Sequence, residues 1–184
     1  HTGTFGISGA LSFNGIKIIT TGGGGMILTN ALLGPRAKHL TTTAKKPHPY
    51  EYIHDEVGYN YRLPNLNAAL GCAQLEQLEA FIEAKRALAM AYQDALSATN
   101  LAFVSEPEGC RSNYWLNAVV CEDKAHRDAL LETTNQQGVM TRPIWVLMNH
   151  LSMYQNCRRG DISNAEWLEA RVVNLPSSVT FIKQ

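Results

Sequence analysis

The chain reads as an α/β protein, and three features of its sequence carry that reading. Short apolar stretches bounded by glycine, at 8–13 and 25–29, fit strands. A helical apolar rhythm then runs from Pro64 to about residue 97. Beyond Thr99-Asn100, strand-like and helix-like segments alternate to the end of the chain, as in a smaller α+β unit.

Each element has a local cause. Asn30 suits an N-cap for a short helix over 31–40, with Gly34-Pro35 making its first turn irregular. Residues 41–53 contain Lys45-Lys46-Pro47-His48-Pro49-Tyr50 and form a polar, proline-broken loop. A loop of that length is commonly functional or covered by a partner, so His48 and Tyr50 are either substrate contacts or solvated loop residues. Pro64 loses nothing at a helix start, where its missing N–H would be unpaired anyway. Leu66, Leu70, Leu78, Phe81, Leu88 and Leu96 then predict one amphipathic helix over 64–97, about 50 Å long at 1.5 Å per residue. Such a helix suits a bridge between domains or a dimer face. After it come a strand over 112–121, a helix over 124–137 ended by Gly138, an extended stretch over 139–145, loose helix over 147–157, a helix over 164–171 and a strand over 172–175.

Composition narrows the function classes. The 184 residues are 45% hydrophobic and 17% charged, ordinary for a soluble globular chain. Sixteen basic and sixteen acidic residues cancel, so no overall field points to nucleic acid or to an anionic membrane. No apolar run is long enough to span a bilayer, and no signal peptide is visible. Cys72, Cys110, Cys121 and Cys157 lie scattered without a Cys-x-x-Cys pair, which fits reduced thiols, a cytoplasmic location and no metal site.

The chemistry concentrates in Ser12-Phe13-Asn14-Gly15-Ile16-Lys17 and the following Thr20-Thr21-Gly22-Gly23-Gly24-Gly25-Met26. A lysine at a strand end among Ile16, Ile18 and Ile19 is expected to be partly desolvated. Burial disfavours the charged amine and favours a nucleophile able to form a Schiff base with an aldehyde cofactor or a carbonyl substrate. From the residues alone, a lysine in this setting is more often a strand-edge side chain whose stem lies on apolar surface. The glycine run allows positive φ or close backbone approach to a ligand, but it lacks the Gly-x-x-x-x-Gly-Lys-Ser/Thr order of a phosphate loop.

That segment, with His54-Asp55-Glu56-Val57-Gly58-Tyr59-Asn60-Tyr61-Arg62 downstream, resembles the DegT/DnrJ/EryC1/StrS sugar aminotransferases, which are fold-type I pyridoxal-phosphate enzymes. The two motifs stand in the family's order and at its separation, and cover the first third of the chain. The resemblance implies the C-terminal half of such an enzyme. It assigns 1–62 to the remainder of the cofactor-binding large domain, 63–98 to a long bridging helix and 99–184 to a small C-terminal α+β domain. It implies pyridoxal phosphate as cofactor, with Lys17 as the Schiff-base lysine and proton carrier and Ser12 at the cofactor phosphate. Asn60 would reach that phosphate from the partner subunit of a homodimer. Arg62 resembles an arginine near the same intersubunit site, and Arg142 would face the nucleotide sugar or the donor carboxylate. The plainer alternatives are an exposed strand serine at 12, a surface arginine at 62 and a structural salt bridge at 142.

Two departures stand out: Asn14 where many members have histidine, and Gly23 where they have glutamate. Related sugar dehydratases carry histidine at the lysine position, so Lys17 favours amino transfer. Gly138-Val139-Met140-Thr141-Arg142-Pro143-Ile144-Trp145 adds a likeness to enzymes that install a 4-amino group on UDP-linked 4-keto-6-deoxy sugars of the bacillosamine or legionaminic-acid type. Amino transfer from glutamate to a nucleotide-linked deoxysugar is therefore the expected reaction. Two alternatives stand beside it: a truncated, inactive chain or interaction module lacking the first half of the cofactor site, and a nucleotide-binding protein that uses its glycine run.

Overall fold

The computed structural model describes residues 1–179, so positions 180–184 of the unit expected over 99–184 lie outside the described residues. The chain divides into two compact units, His1–Glu79 and Ala80–Gln184. The first opens with an antiparallel pair, β1 (Ser8–Ser12) and β2 (Gly25–Thr29), in a register that sets Ser12 opposite Gly25. Helix α1 (Gly34–Thr41) follows, then an extended arm and α2 (Asn65–Leu75).

The second unit holds nearly all of α3 (Leu78–Leu96), then β3 (Ala102–Phe103), β4 (Asn117–Val120) and α4 (Lys124–Gln136). It closes with β5 (Arg142–Pro143), 3₁₀ turns at Met148–His150 and Ser152–Tyr154, α5 (Ser163–Glu169) and β6 (Val172–Leu175). Its antiparallel sheet runs in the order β3-β4-β6-β5. Val119 and Val173 face each other across β4 and β6, both fully buried, and Leu96, Phe103, Leu130 and Leu131 pack against them. Asp123 caps α4 by accepting the His126 N–H at 2.8 Å.

The expected elements over 8–13, 25–29, 124–137 and 172–175 form within about a residue of their bounds. Four others differ, each for a local reason. The single helix expected over 64–97, the 63–98 bridge, is two helices separated at Glu76-Gln77. There the Gln77 N–H turns back to the Gln74 carbonyl, and the Gln77 side chain donates to the Ala73 carbonyl that a continuing helix would use. Helix α1 begins at Gly34, later than expected, because Asn30 Oδ1 accepts the N–H groups of Leu32 and Leu33 and so caps the turn before it. The strand expected over 112–121 shortens to β4. Glu106, Ser112 and Asn113 side chains accept the N–H groups of Ser112, Tyr114 and Trp115, which a ladder would otherwise use, and Tyr114 has φ 42°. The extended stretch over 139–145 pairs only at β5.

In the first unit the buried residues are Thr21 and Ala44, whereas Phe5, Leu32 and Leu66 are more than 80% exposed. No helix among the described residues is long and apolar enough to cross a membrane.

Candidate active site

Lys17 does not sit on a strand end. It lies in the loop 13–24 that joins β1 to β2, because Asn14 turns the chain: its Oδ1 accepts the Ile16 N–H at 3.2 Å and its carbonyl accepts the Lys17 N–H at 3.0 Å. Asn14 thus builds the lysine's own turn. The loop is pinched shut at its neck. Phe13 N–H donates to Gly24 O, and Phe13 O accepts both the Thr21 N–H and the Thr20 hydroxyl. Gly22 and Gly24 bend the return with φ 78° and 107°, so the glycine run serves chain reversal here.

The expected apolar shield is incomplete. Ile16 is 67% exposed, while Lys17, Ile18 and Ile19 are half-buried. Ser12 is exposed at the end of β1, and its Oγ accepts the Asn14 N–H at 3.4 Å, which leaves the hydroxyl proton available for another acceptor. An amine in the loop suits an aldehyde, and a hydroxyl donor at the residue before the neck suits a phosphate, so these residue types fit pyridoxal phosphate.

The arm after α1 doubles back on itself. Thr43 N–H donates to Tyr59 O, Tyr59 N–H to Leu40 O and Tyr61 N–H to Thr41 O, Lys46 N–H donates to Ile53 O, and Thr42 bridges to Asn60. This pairing holds Asn60 and Arg62 on an exposed, backbone-fixed edge. Arg62 reaches the Thr42 carbonyl at 3.4 Å. Tyr59 and Tyr61 are 51% and 73% exposed and stack on each other with ring centres 5.2 Å apart. In the loop, His48 and Tyr50 meet edge to face at 4.8 Å.

An open cleft of about 1240 Å³ lies in this unit, between the β1–β2 pair, α1 and the start of α2. Arg62 and Gly23 line it; Ser12, Lys17 and Asn60 do not. Arg142 lies in the second unit. Its Nη1 donates to Asn135 Oδ1 at 2.8 Å and to the Thr141 carbonyl at 2.9 Å, and among the described residues it has no ion pair.

Sequence reasoning missed two arrangements. His39, Asp55 and Glu56 converge within 4.8 Å of one another. Arg36 pairs with Glu56, and Lys46 stands 3.9 Å from Asp55, so cations already occupy the open sides of this cluster. The His39 hydrogen bond lowers the pKa of Asp55, and Arg36 lowers that of Glu56. The second arrangement is the seat of the lysine loop on α2. Asn67 Nδ2 donates to Thr21 O at 2.5 Å, and Gln74 Oε1 accepts the Thr20 N–H at 3.3 Å. Asn67, Gly71 and Gln74 follow i, i+4, i+7 spacing, one stripe of a helix whose other residues after Asn65 are apolar, and that spacing was the available signal.

The profile of the DegT/DnrJ/EryC1/StrS aminotransferase family matches residues 1–183. The chain belongs to that family. It is 35% identical to the GDP-perosamine synthase of Vibrio cholerae over 184 residues, covering 95% of this chain and 48% of that protein. With the GDP-perosamine synthase of Escherichia coli O157:H7 it shares 35% over 179 residues, 96% of this chain and 48% of the other. The solved aminotransferase TlmJ from Streptoalloteichus hindustanus superposes with a TM-score of 0.88 at 28% identity, over 95% of this chain and 48% of that one. PseC of Helicobacter pylori, an aminotransferase involved in the biosynthesis of pseudoaminic acid, has a TM-score of 0.88 at 20% identity and shows the shared fold. This chain spans about half the length of the curated relatives it matches. The family's enzymes are pyridoxal-phosphate-dependent, and the architecture here is part of a fold-type I transferase.

Proposed function

We propose that the protein carrying this chain is a pyridoxal-phosphate-dependent sugar aminotransferase, moving an amino group from an amino acid, glutamate by preference, to the 4-keto carbon of a nucleotide-linked deoxysugar. One observation carries the reading: in a chain of this family, a single lysine sits on a loop clamped shut between β1 and β2, with a hydroxyl donor at its base.

Lys17 would hold the cofactor's aldehyde through its amine, and the same amine would move a proton between the donor's α-carbon and the cofactor's C4′, with the reverse transfer serving the acceptor carbon. Bound pyridoxal phosphate supplies the electron sink for that exchange. Ser12 donates its hydroxyl proton to the phosphate. Asn60 adds a neutral amide to the neighbouring subunit's phosphate, which makes a homodimer necessary for activity. Support for that role is its fixed, exposed position, with no hydrogen bond to its side chain among the described residues. Arg62 and Arg142 are the cations for a carboxylate or diphosphate. The location in this reading is the cytoplasm, in keeping with four free cysteines.

Borohydride reduction of the cofactor-loaded protein, followed by peptide mass analysis, tests the core of the proposal. The expected result is a stable adduct on Lys17, absent in Lys17→Ala; an adduct on another lysine overturns it. Mixing Lys17→Ala with Asn60→Ala chains is expected to restore activity through hybrid dimers, and no recovery removes the shared site. The relatives carry GDP in their names, whereas the sequence likeness pointed to UDP sugars. Parallel assays with both nucleotides, on the 184-residue chain and on the natural protein, decide substrate and sufficiency.

A further inference from the structure

We propose that α2 is the latch that positions Lys17, with Asn67 and Gln74 as its two fasteners; this rests on Lys17 being the cofactor lysine. Thr20 and Thr21 stand three and four residues beyond Lys17, on the returning limb of the loop. Both of their main-chain links to α2 run through side chains of one helix stripe, Gln74 accepting from Thr20 and Asn67 donating to Thr21. Between these two fasteners the stripe has no side chain. A Cβ at Gly71 would stand 2.9 Å from Thr21 Cγ2, and Thr21 is only 1% exposed, so the loop lies directly on the helix. Leu63, just before α2, seals the far end, where a Cβ on Gly24 would come within 2.6 Å of its Cδ1. The neck bonds at Phe13 close the loop on itself, but within this unit α2 fixes which way it points.

The two fasteners have opposite polarity, which separates positioning from bulk packing. Gln74 acts as an acceptor, so Gln74→Glu keeps the oxygen facing Thr20 N–H. Asn67 acts as a donor, so Asn67→Asp, equal in size, sets a carboxylate against the Thr21 carbonyl. The experiment uses the natural, full-length protein. It measures Thr20 amide exchange without cofactor, and the pH profile of acetylation at Lys17. Gln74→Ala is expected to speed Thr20 exchange about two- to tenfold, the range for one lost hydrogen bond, with Gln74→Glu near wild type. Asn67→Asp is expected to speed exchange about tenfold or more and to shift the Lys17 labelling profile. Equal behaviour of the Glu and Asp variants, or an unchanged Lys17 profile in Asn67→Asp, overturns the latch. A variant that fails to fold is replaced by Gly71→Ala, which wedges loop from helix and must shift the same Lys17 profile; no shift there also overturns it. If borohydride trapping finds no adduct at Lys17 while the exchange pattern holds, the functional reading fails and the latch stands.

Discussion

Replacing Gly58 with alanine tests whether the Gly-Tyr-Asn-Tyr-Arg block is held by backbone contact. An added Cβ would stand 2.5 Å from both Ala44 N and Thr43 C, and 2.9 Å from Ala44 Cβ. Favourable contact needs about 3.5–4.0 Å, so the two limbs of the arm must part by about 1 Å. They cannot do so without loosening the hydrogen bonds from Thr43 N–H to Tyr59 O (3.0 Å) and from Tyr59 N–H to Leu40 O (2.7 Å). Ala44 is fully buried, so the 43–44 side has no room to retreat. Overpacking of this kind costs about 1–3 kcal/mol, and a weakened hydrogen bond about 1 kcal/mol more, giving about 2–4 kcal/mol in total. Asn60 shifts with the separating strand, so the contribution proposed for it at a neighbouring site falls as well. Urea unfolding of Gly58→Ala gives the first number, and cofactor retention on dilution gives the second. Adding Ala44→Gly is a control, read against Ala44→Gly alone because Ala44 has φ 49°: it removes the 2.9 Å contact but neither 2.5 Å backbone contact, so little of the Gly58→Ala loss returns. A Gly58→Ala midpoint within about 0.5 kcal/mol of wild type, or full rescue by Ala44→Gly, would refute the reasoning.

The remaining predictions concern the second unit. Val119→Ala removes two buried methyl groups facing Val173 and is expected to cost about 2–3 kcal/mol in urea unfolding with an unchanged m-value; a loss below about 0.5 kcal/mol contradicts the described core. Glu106 is forked by Arg86, which with the Ser112 N–H lowers its pKa from 4.5 to about 2. Its contribution to stability is thus complete above pH 4.5 and lost as pH falls through about 2, and Glu106→Gln should flatten that limb of a midpoint-against-pH curve. Lys85 is buried with its Nζ on the carbonyls of Trp115 and Ser177, and burial lowers its pKa from 10.5. The unfolded chain then binds more protons in the window just below 10.5, so stability rises with pH there; Lys85→Met should remove that rise.

Local signals carried much of this protein. β1, β2, α4 and β6 were legible because alternation, glycine bounds and a capping aspartate act over a few residues. The two motifs were legible through their likeness to the family, which the match over residues 1–183 bears out. Other features depend on what a side chain does to nearby backbone. Gln77 divides the long helix and Asn14 turns the lysine loop by competing for main-chain groups, a choice that periodicity does not record.

By itself the sequence determined the family, the residue types available for chemistry and the class of each strongly patterned element. Tertiary structure alone decided that His39 meets Asp55 and Glu56, that Tyr59 and Tyr61 lie in solvent, and that Asn67 and Gln74 fasten the loop bearing Lys17. Those pairings join residues 16 to 54 positions apart. Chain closure over such distances is settled by the whole fold, and no local preference encodes it.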